Sequence, residues 1–362
     1  VFEVTKKEFN LHNYIMFSSK KLPFYFTTLA IVIGASFVAD KFKKYFEDED
    51  DEYKLIRQYL LNDSPLYGSN RPKLWIHSEY GLNARKWKSF QSRNSTDLNQ
   101  PYLNLTIQSI INTCGDHFHI CLIDDDSFSK LIPDWSFDMD KVADPHKSHY
   151  RDVGLISLLY YYGGVVVPNS MISHANLQDL YENSMRQKKP ILGEEVNKSL
   201  NLLKHSKEPS FIPSVRFMAS PKQNEHTKQL KDYANDLFKN GHFTHEHEFT
   251  NKIGHYCVDM EKNNQLMCID GYLLGIKTKH GKPVILDDLM EERPIDFHSA
   301  MLGIIIPSKE LLVRTKYQWF VVLPEEQVVA TNACLSKYLF NAVNTSENDN
   351  NMVNNNHSVV SI

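Results

Sequence analysis

Cysteine is scarce in this chain: there are five, Cys114, Cys121, Cys257, Cys268 and Cys334, and no two form a CxxC pair. An odd number without that spacing gives no support to a zinc site or a disulfide framework, and leaves buried free thiols in a reducing or redox-neutral setting. An excess of basic residues is also missing. With 40 Lys and Arg against 44 Asp and Glu, the net charge is −4, so nothing in the composition favours a nucleic-acid partner. No internal repeat is present. What the chain does have is length and apolar content. Its 362 residues, 42% of them hydrophobic, are enough for a large core in one large or two moderate domains.

Long uncharged runs are equally rare, which makes the one at residues 22–39 conspicuous. LPFYFTTLAIVIGASFVA lies between Lys20-Lys21 and Asp40-Lys41. As a helix it would span about 27 Å at about 1.5 Å per residue, close to a bilayer's hydrocarbon core. Pro23 suits a first helical turn, and Phe24 and Tyr25 suit a membrane interface. Residues 1–21 therefore read as an N-terminal segment and 22–39 as a single transmembrane helix, with the lipid bilayer as a partner. Lysines flank the run on both sides, so orientation is a tie. A start at Val1 rather than Met, ahead of an anchor, fits removal of an organellar presequence. Six Asn-x-Ser/Thr sequons, at Asn62, Asn94, Asn104, Asn197, Asn344 and Asn356, point instead to the secretory pathway.

Residues 40–67 read as an amphipathic, acidic connector whose run Glu47 to Glu52 is a solvated face. The turn-rich SPLYGSNRP opens a soluble domain at 68–342, and 343–362 is an Asn-rich tail too polar to order itself. Within the domain, KLWIHS (Lys73 to Ser78) is a strand, Pro101 to Cys114 a helix, and HFHICLIDDD (His117 to Asp126) a second strand. Arg151 to Tyr162 is a helix, Val165 to Val167 a buried strand, and Leu177 to Glu182 a short helix. Strands at Pro190 to Gly193 and Val215 to Ala219 precede a helix over Gln223 to Lys239. This alternation predicts an α/β sheet.

The chemistry concentrates around LLYYYGGVVVPNS, Leu158 to Ser170. Asp152, Leu155, Ile156, Leu159 and Tyr160 share one helical face, with Asp152 at its start. Gly163-Gly164 ends the helix and turns the chain into Val165-Val166-Val167. Residues just past Val167 emerge at the carboxyl end of a buried strand, where open α/β sheets bind ligands. Here they are Pro168, Asn169 and Ser170.

The run HYRDVGLISLLYYYGGVVV resembles the signature of the DXD-containing sugar transferases related to capsular polysaccharide synthesis proteins and to mannosyltransferases. RPKLWIHSEYG is similar to that family's opening strand, and HICLIDDDSFSKLIPD to its second. The resemblance covers roughly Pro72 to His174, and more loosely the chain up to about residue 325. It implies a single Rossmann-like nucleotide-sugar transferase (GT-A-like) domain, in which two acids after the strand hold Mn²⁺ or Mg²⁺ against the donor diphosphate. Carried over position by position, Asp152 matches the helix aspartate. The family's arginine falls on Leu155, its first strand-end aspartate on Pro168 and its second acid on Ser170, with Asn169 between. Asp152, Pro168, Asn169 and Ser170 then form a vestigial site with no catalytic residue assigned and no metal ligands. If nucleotide-sugar binding persists, the resemblance implies Asp124, Asp125, Asp152, Gly163 and Gly164 as its contacts.

Other clusters have simpler readings. Asp124-Asp125-Asp126 before Ser127 makes an ordinary turn and helix cap. His242, His245 and His247 in HFTHEHE match no zinc spacing and read as a surface loop. Asp287-Asp288 with Glu291-Glu292 reads as a solvated loop or helix start. His77 and His149 read as hydrogen-bonded structural residues.

The expectation is therefore a membrane-anchored, catalytically inactive glycosyltransferase-like protein. It would serve as a structural or accessory subunit among other protein subunits of a membrane complex, with the mitochondrial inner membrane expected and no cofactor required. The alternative is an active type II Golgi or ER glycosyltransferase using a nucleotide sugar with Mn²⁺ or Mg²⁺.

Overall fold

Leu74, Trp75 and Ile76 are fully buried, as are Val165, Val166 and Val167 to within 1%. Runs of that kind belong to strands covered on both faces, and in the computed structural model both form central strands of a mixed sheet. The structure describes residues 71–78, 100–133, 135–143, 146–197, 209–243 and 246–344. The expected anchor at 22–39, the connector at 40–67 and all but the start of the tail lie outside these residues. Among the described residues no helix is long and apolar enough to cross a membrane.

The described residues begin with β1 (Lys73–His77), α1 (Tyr102–Cys114), β2 (His119–Ile123) and α2 (Asp125–Leu131). A 3₁₀ turn (Met139–Lys141) leads to α3 (His146–Tyr162), β3 (Gly164–Pro168), β4 (Met171–Ser173) and α4 (Gln178–Gln187). Next come β5 (Ile191–Val196), β6 (Phe211–Ser220), α5 (Glu225–Asn240), α6 (Glu246–Lys262) and β7 (Met267–Ile269). After a 3₁₀ turn (Gly271–Leu274) the chain forms α7 (Leu286–Met290), β8 (Gly303–Ile305), α8 (Ser308–Val313), α9 (Gln318–Val321) and α10 (Glu325–Ala330). A last helix occupies 334–344.

Six strands form one sheet in the order β2-β1-β3-β6-β5-β7, and β4 pairs with β8 in a two-stranded ribbon. β1 is parallel to both β2 and β3, while β6 runs antiparallel to β3 and to β5. The chain passes from β1 to β2 on one side and then crosses to β3 on the other. The carboxyl ends of β1 and β3 therefore meet at a switch point, the place where open α/β sheets leave a crevice. Because β6 is antiparallel, its early residues reach the same edge.

The expected α/β architecture is present, with a parallel-rich sheet. One core layer is built from Trp75, Cys121, Ile123, Val166, Leu192 and Met218 of the sheet packed against α3, α5 and α6. A second gathers α1, Ile172, Ile304 and the C-terminal helices around Leu286, Phe320 and Leu335. α6 contributes Phe249, Ile253, Cys257 and Met260 to the first layer, a spacing that marks one helical face. The sequence predicts a polar surface loop over His242 to Glu248. The helix begins inside that run at Glu246, because its apolar face starts only at Phe249.

Two further boundaries differ from expectation. α3 starts at His146 rather than Arg151, so Asp152 lies in its second turn and not at its N-terminus. The polar His146 to His149 has no apolar spacing to announce a helix. β6 starts at Phe211 rather than Val215, a start hidden by Pro213, which removes a ladder donor.

All five cysteines are free, and only Cys268 is not buried. Two sequons are closed by the fold. Asn104 is 4% exposed with its amide on Glu325, and Asn197 is 2% exposed with its amide on the Pro209 carbonyl. Neither side chain is presented for modification in the folded chain.

Candidate functional site

Gly163 and Gly164 have φ of +69° and +109°, backbone that L-residues rarely adopt. They take α3 directly into β3 without a loop. A Cβ on Gly164 would sit 2.1 Å from the Lys73 carbonyl oxygen, so only glycine lets β3 lie against the start of β1. Trp75 adds an indole hydrogen bond of 3.0 Å to the Gly163 carbonyl, deep in the core. This junction sets where the carboxyl ends of β1 and β3 emerge.

At that edge a cavity of about 240 Å³ opens, lined among others by His77, Ser148, Asp152, Pro168, Arg216 and Lys309. Pro168 ends β3 opposite His77 of β1. Asn169 donates to the Ser78 hydroxyl at 3.5 Å, and its carbonyl accepts from Thr106 at 2.5 Å. Ser170 is 3% exposed and donates to the Ile306 carbonyl at 2.9 Å, while its own carbonyl accepts from the Ile306 N–H at 3.0 Å. Pro168-Asn169-Ser170 thus works as a tie between β3 and the segment after β8.

Asp152 is buried. Its carboxylate accepts from Arg216 Nε at 3.1 Å and from the Thr250 hydroxyl at 3.3 Å. Arg216 reaches it through an irregularity in the sheet. The partner of β5 jumps from Met218 at Leu192 to Ser214 at Gly193, leaving Val215 to Phe217 in a bulge. Bulges re-aim side chains beside functional clefts, and this one turns the Arg216 guanidinium toward α3. Arg216 also donates to Ser148 Oγ at 3.1 Å, and Lys309 donates to the same oxygen at 3.1 Å.

The three aspartates after β2 divide their work. Asp124 caps α2, its carboxylate accepting from Ser127 N at 2.8 Å while Ser127 Oγ accepts from Asp124 N at 3.1 Å. Asp126 is exposed. Asp125 is engaged by neighbouring cations and His77: Arg151 holds it bidentately at 2.7 Å and 2.7 Å, His77 Nε2 lies 2.9 Å away, and Lys147 3.3 Å. Burial alone would raise the Asp125 pKa, but the Arg151 and His77 hydrogen bonds outweigh it and hold the carboxyl well below the usual range.

The sign of the consequence follows. Below the ordinary aspartate pKa of about 4 the unfolded chain takes up a proton that the folded chain refuses, so this stabilisation is present at higher pH and fades as pH falls. Asp125→Asn is expected to lower the urea midpoint by a constant amount above about pH 5, with the gap to the parent chain starting to narrow below about pH 4 and shrinking steadily as the pH falls further. Midpoints measured across that range check it, and a constant offset down to pH 3 would contradict it.

The cleft brings Asp152, Pro168, Asn169 and Ser170 to one edge, and Asp125 pairs with His77 and Arg151 of its lining. Asp124 is a cap, and Gly163-Gly164 lie at the opposite end of β3, where they shape backbone. Leu155, at the position where the resemblance puts an arginine, also lines the cavity. Guanidinium groups arrive instead from Arg151 and Arg216, and an ammonium from Lys309. The sequence reading missed Arg216, Lys309 and Ser148. Arg216 is masked by a strand-like VRFMAS run, and Lys309 comes from a helix far along the chain. His77 stacks on Phe128 and His149 on Phe249, at 5.3 and 4.5 Å between ring centroids, with His149 fully buried. Asp287 and Asp288 lie in the first turn of α7, in keeping with the expected helix start, and Asp287 also gathers Arg314, Lys316 and Tyr317 in an ion-pair cluster. Among the described residues no group of three or more His, Cys, Asp or Glu could hold a metal ion. His245 lies outside them.

No protein-family model and no curated protein matches the chain. Among solved structures it matches one titled "PaToxG Glycosyltransferase", at 12% identity and a TM-score of 0.33, over 61% of this chain and 82% of that one. A likeness of that size carries no argument about fold or function.

Proposed function

We propose that the chain is a catalytically inactive glycosyltransferase-like protein, its donor cleft kept and its divalent-cation site lost, serving as a structural or accessory subunit of a membrane complex. The observation that carries this reading is the state of the strand end. A cation that offsets a departing nucleoside diphosphate wants hard, anionic oxygens. Pro168 has none, and the Ser170 hydroxyl is committed to the Ile306 carbonyl. Asp152 would have to abandon Arg216 to take a metal. Mn²⁺ or Mg²⁺ does not fit this donor set, and no reaction step is routed through one.

The membrane part of the proposal rests on the uncharged run at 22–39. The accessory role is tested by purification from native membranes, where recovery within a large assembly is expected. A free monomer carrying N-glycans would contradict it and favour the secretory alternative. The catalytic part is tested by donor hydrolysis: UDP- and GDP-sugars with Mn²⁺ are expected to turn over at the blank rate.

A further inference from the structure

The two ends of the parallel strands differ in how their cations are matched. Around the cleft, cations sit on acids: Arg151 and Lys147 on Asp125, Arg216 on Asp152 and Lys277 on Glu194. At the opposite end, Arg71, Lys73, Lys130, Lys188, Lys222 and Lys228 have no ion-pair partner among the described residues. Burial, and then the charges of Lys73 and Arg71, hold the His119 imidazole below its usual pKa, a sign of unbalanced positive potential.

Separate segments bring these charges to the junction of α3 and β3. Arg71 and Lys73 open β1, where the Arg71 guanidinium donates to the Gly115 carbonyl at 3.0 Å and the Lys73 carbonyl lies against Gly164. The Lys222 backbone packs on Gly163, and the next N–H, of Gln223, donates to the Tyr160 carbonyl at 2.7 Å. Lys188 caps α4, its carbonyl accepting from the Asn224 amide at 2.8 Å. Lys228 follows near the start of α5, its N–H on the Asn224 carbonyl at 2.9 Å. Lys130 lies in the last turn of α2, where the Leu131 carbonyl accepts from the Tyr162 hydroxyl at 2.6 Å. Lys130, Lys188, Lys222 and Lys228 are exposed. Lys231 lies over Tyr160 and Tyr161 at 4.5 and 5.2 Å, both tyrosines half-buried. Asp116 and Glu225 share this end and still leave cations in excess, on a chain whose net charge is −4.

We infer that this end of the domain seats on an anionic lipid surface, through Arg71, Lys73, Lys130, Lys188, Lys222 and Lys228. Lipid is favoured over another polyanion because the chain enters β1 at this end, from residues 40–70 that follow the uncharged run at 22–39. The inference deepens the membrane part of the proposed function and rests on it. Each lysine or arginine near an anionic leaflet adds an attraction that salt screens, and tyrosine suits the headgroup layer. The rest of the chain carries the excess of acids and is repelled by such a surface, so the cleft is turned away from the bilayer.

The test is amine labelling of the full chain, reconstituted with vesicles of phosphatidylcholine alone or with about 30% phosphatidylserine, and read by mass spectrometry at each lysine. With phosphatidylserine, labelling of Lys188, Lys222 and Lys228 is expected to slow at least about threefold and to recover in about 0.5 M NaCl. Lys147, in the first turn of α3 and so at its other end, is expected to keep one rate throughout. Lys188→Glu combined with Lys222→Glu should abolish the slowing at Lys228 at an unchanged melting temperature, since both side chains are exposed. Equal rates with the two vesicles, slowing that survives high salt, or equal slowing at Lys147 would overturn the seat. Protection by an RNA oligonucleotide with none from phosphatidylserine would also overturn it and assign this end to nucleic acid. Flotation with phosphatidylcholine alone reports the anchor separately. A chain that floats there, with equal lysine rates in both vesicles, keeps the anchor and loses the seat. One that floats only with phosphatidylserine, its lysines slowed, keeps the seat and loses the anchor.

Discussion

Gly164→Ala is expected to destroy the native fold. Its φ of +109° lies where L-residues are strained, and its Cβ would stand 2.1 Å from the Lys73 carbonyl oxygen, which is backbone and cannot swing aside. To relieve the clash, β3 would have to leave β1, breaking the register from Leu74↔Val165 to His77↔Pro168 and with it the switch point. The loss should reach at least about 4 kcal/mol, the range of the most damaging single substitutions, against a total stability of about 5–15 kcal/mol. Gly281 separates the two causes. Its φ is +77° but a Cβ there would meet nothing within 4 Å, so Gly281→Ala should cost only the backbone term of about 1–2 kcal/mol. Circular dichroism melts of both variants decide the matter. A Gly164→Ala chain melting within a few degrees of its parent would refute this account of the junction.

Arg216→Met should be the next most damaging change at the cleft. Among the described residues it leaves Asp152, with a side chain 2% exposed, only the Thr250 hydroxyl at 3.3 Å. Breaking a buried pair from one side costs about 3–5 kcal/mol, because a charge remains without its counter-charge. The Arg216 side chain is 26% exposed, which admits some water and places the loss near the lower end. Asp152→Asn combined with Arg216→Met removes both charges and should recover most of it. A double-mutant cycle in urea measures the coupling directly. Additive losses would mean that the pair does not hold α3 to β6 as described.

Much of the architecture is legible in the chain itself. The Leu74 to Ile76 and Val165 to Val167 runs are continuous apolar stretches that fit only doubly covered strands, and Gly163-Gly164 fixes the turn between α3 and β3. The cap at Asp124 follows from its spacing to Ser127. Other features depend on long-range placement. No local pattern reports that a bulge opposite Gly193 turns Arg216 out of β6, or that α8 returns Lys309 to the first turn of α3. The polar start of α3 has no periodicity, and Pro213 conceals the start of β6. The strand end was readable as lacking acids. Only the fold reveals that Ser170 is used up as a tie to Ile306, and that Asp152, the one retained acid, faces an arginine.

The central claim is that the cleft no longer carries cation-assisted sugar transfer. Its most direct test is release of UDP or GDP from sugar donors by the full chain in excess Mn²⁺, read beside EDTA and beside Asp152→Ala. The expected result is release at the blank rate in all three. Mn²⁺-dependent release that disappears in EDTA and in Asp152→Ala would contradict it and make Asp152 a working residue of an active transferase.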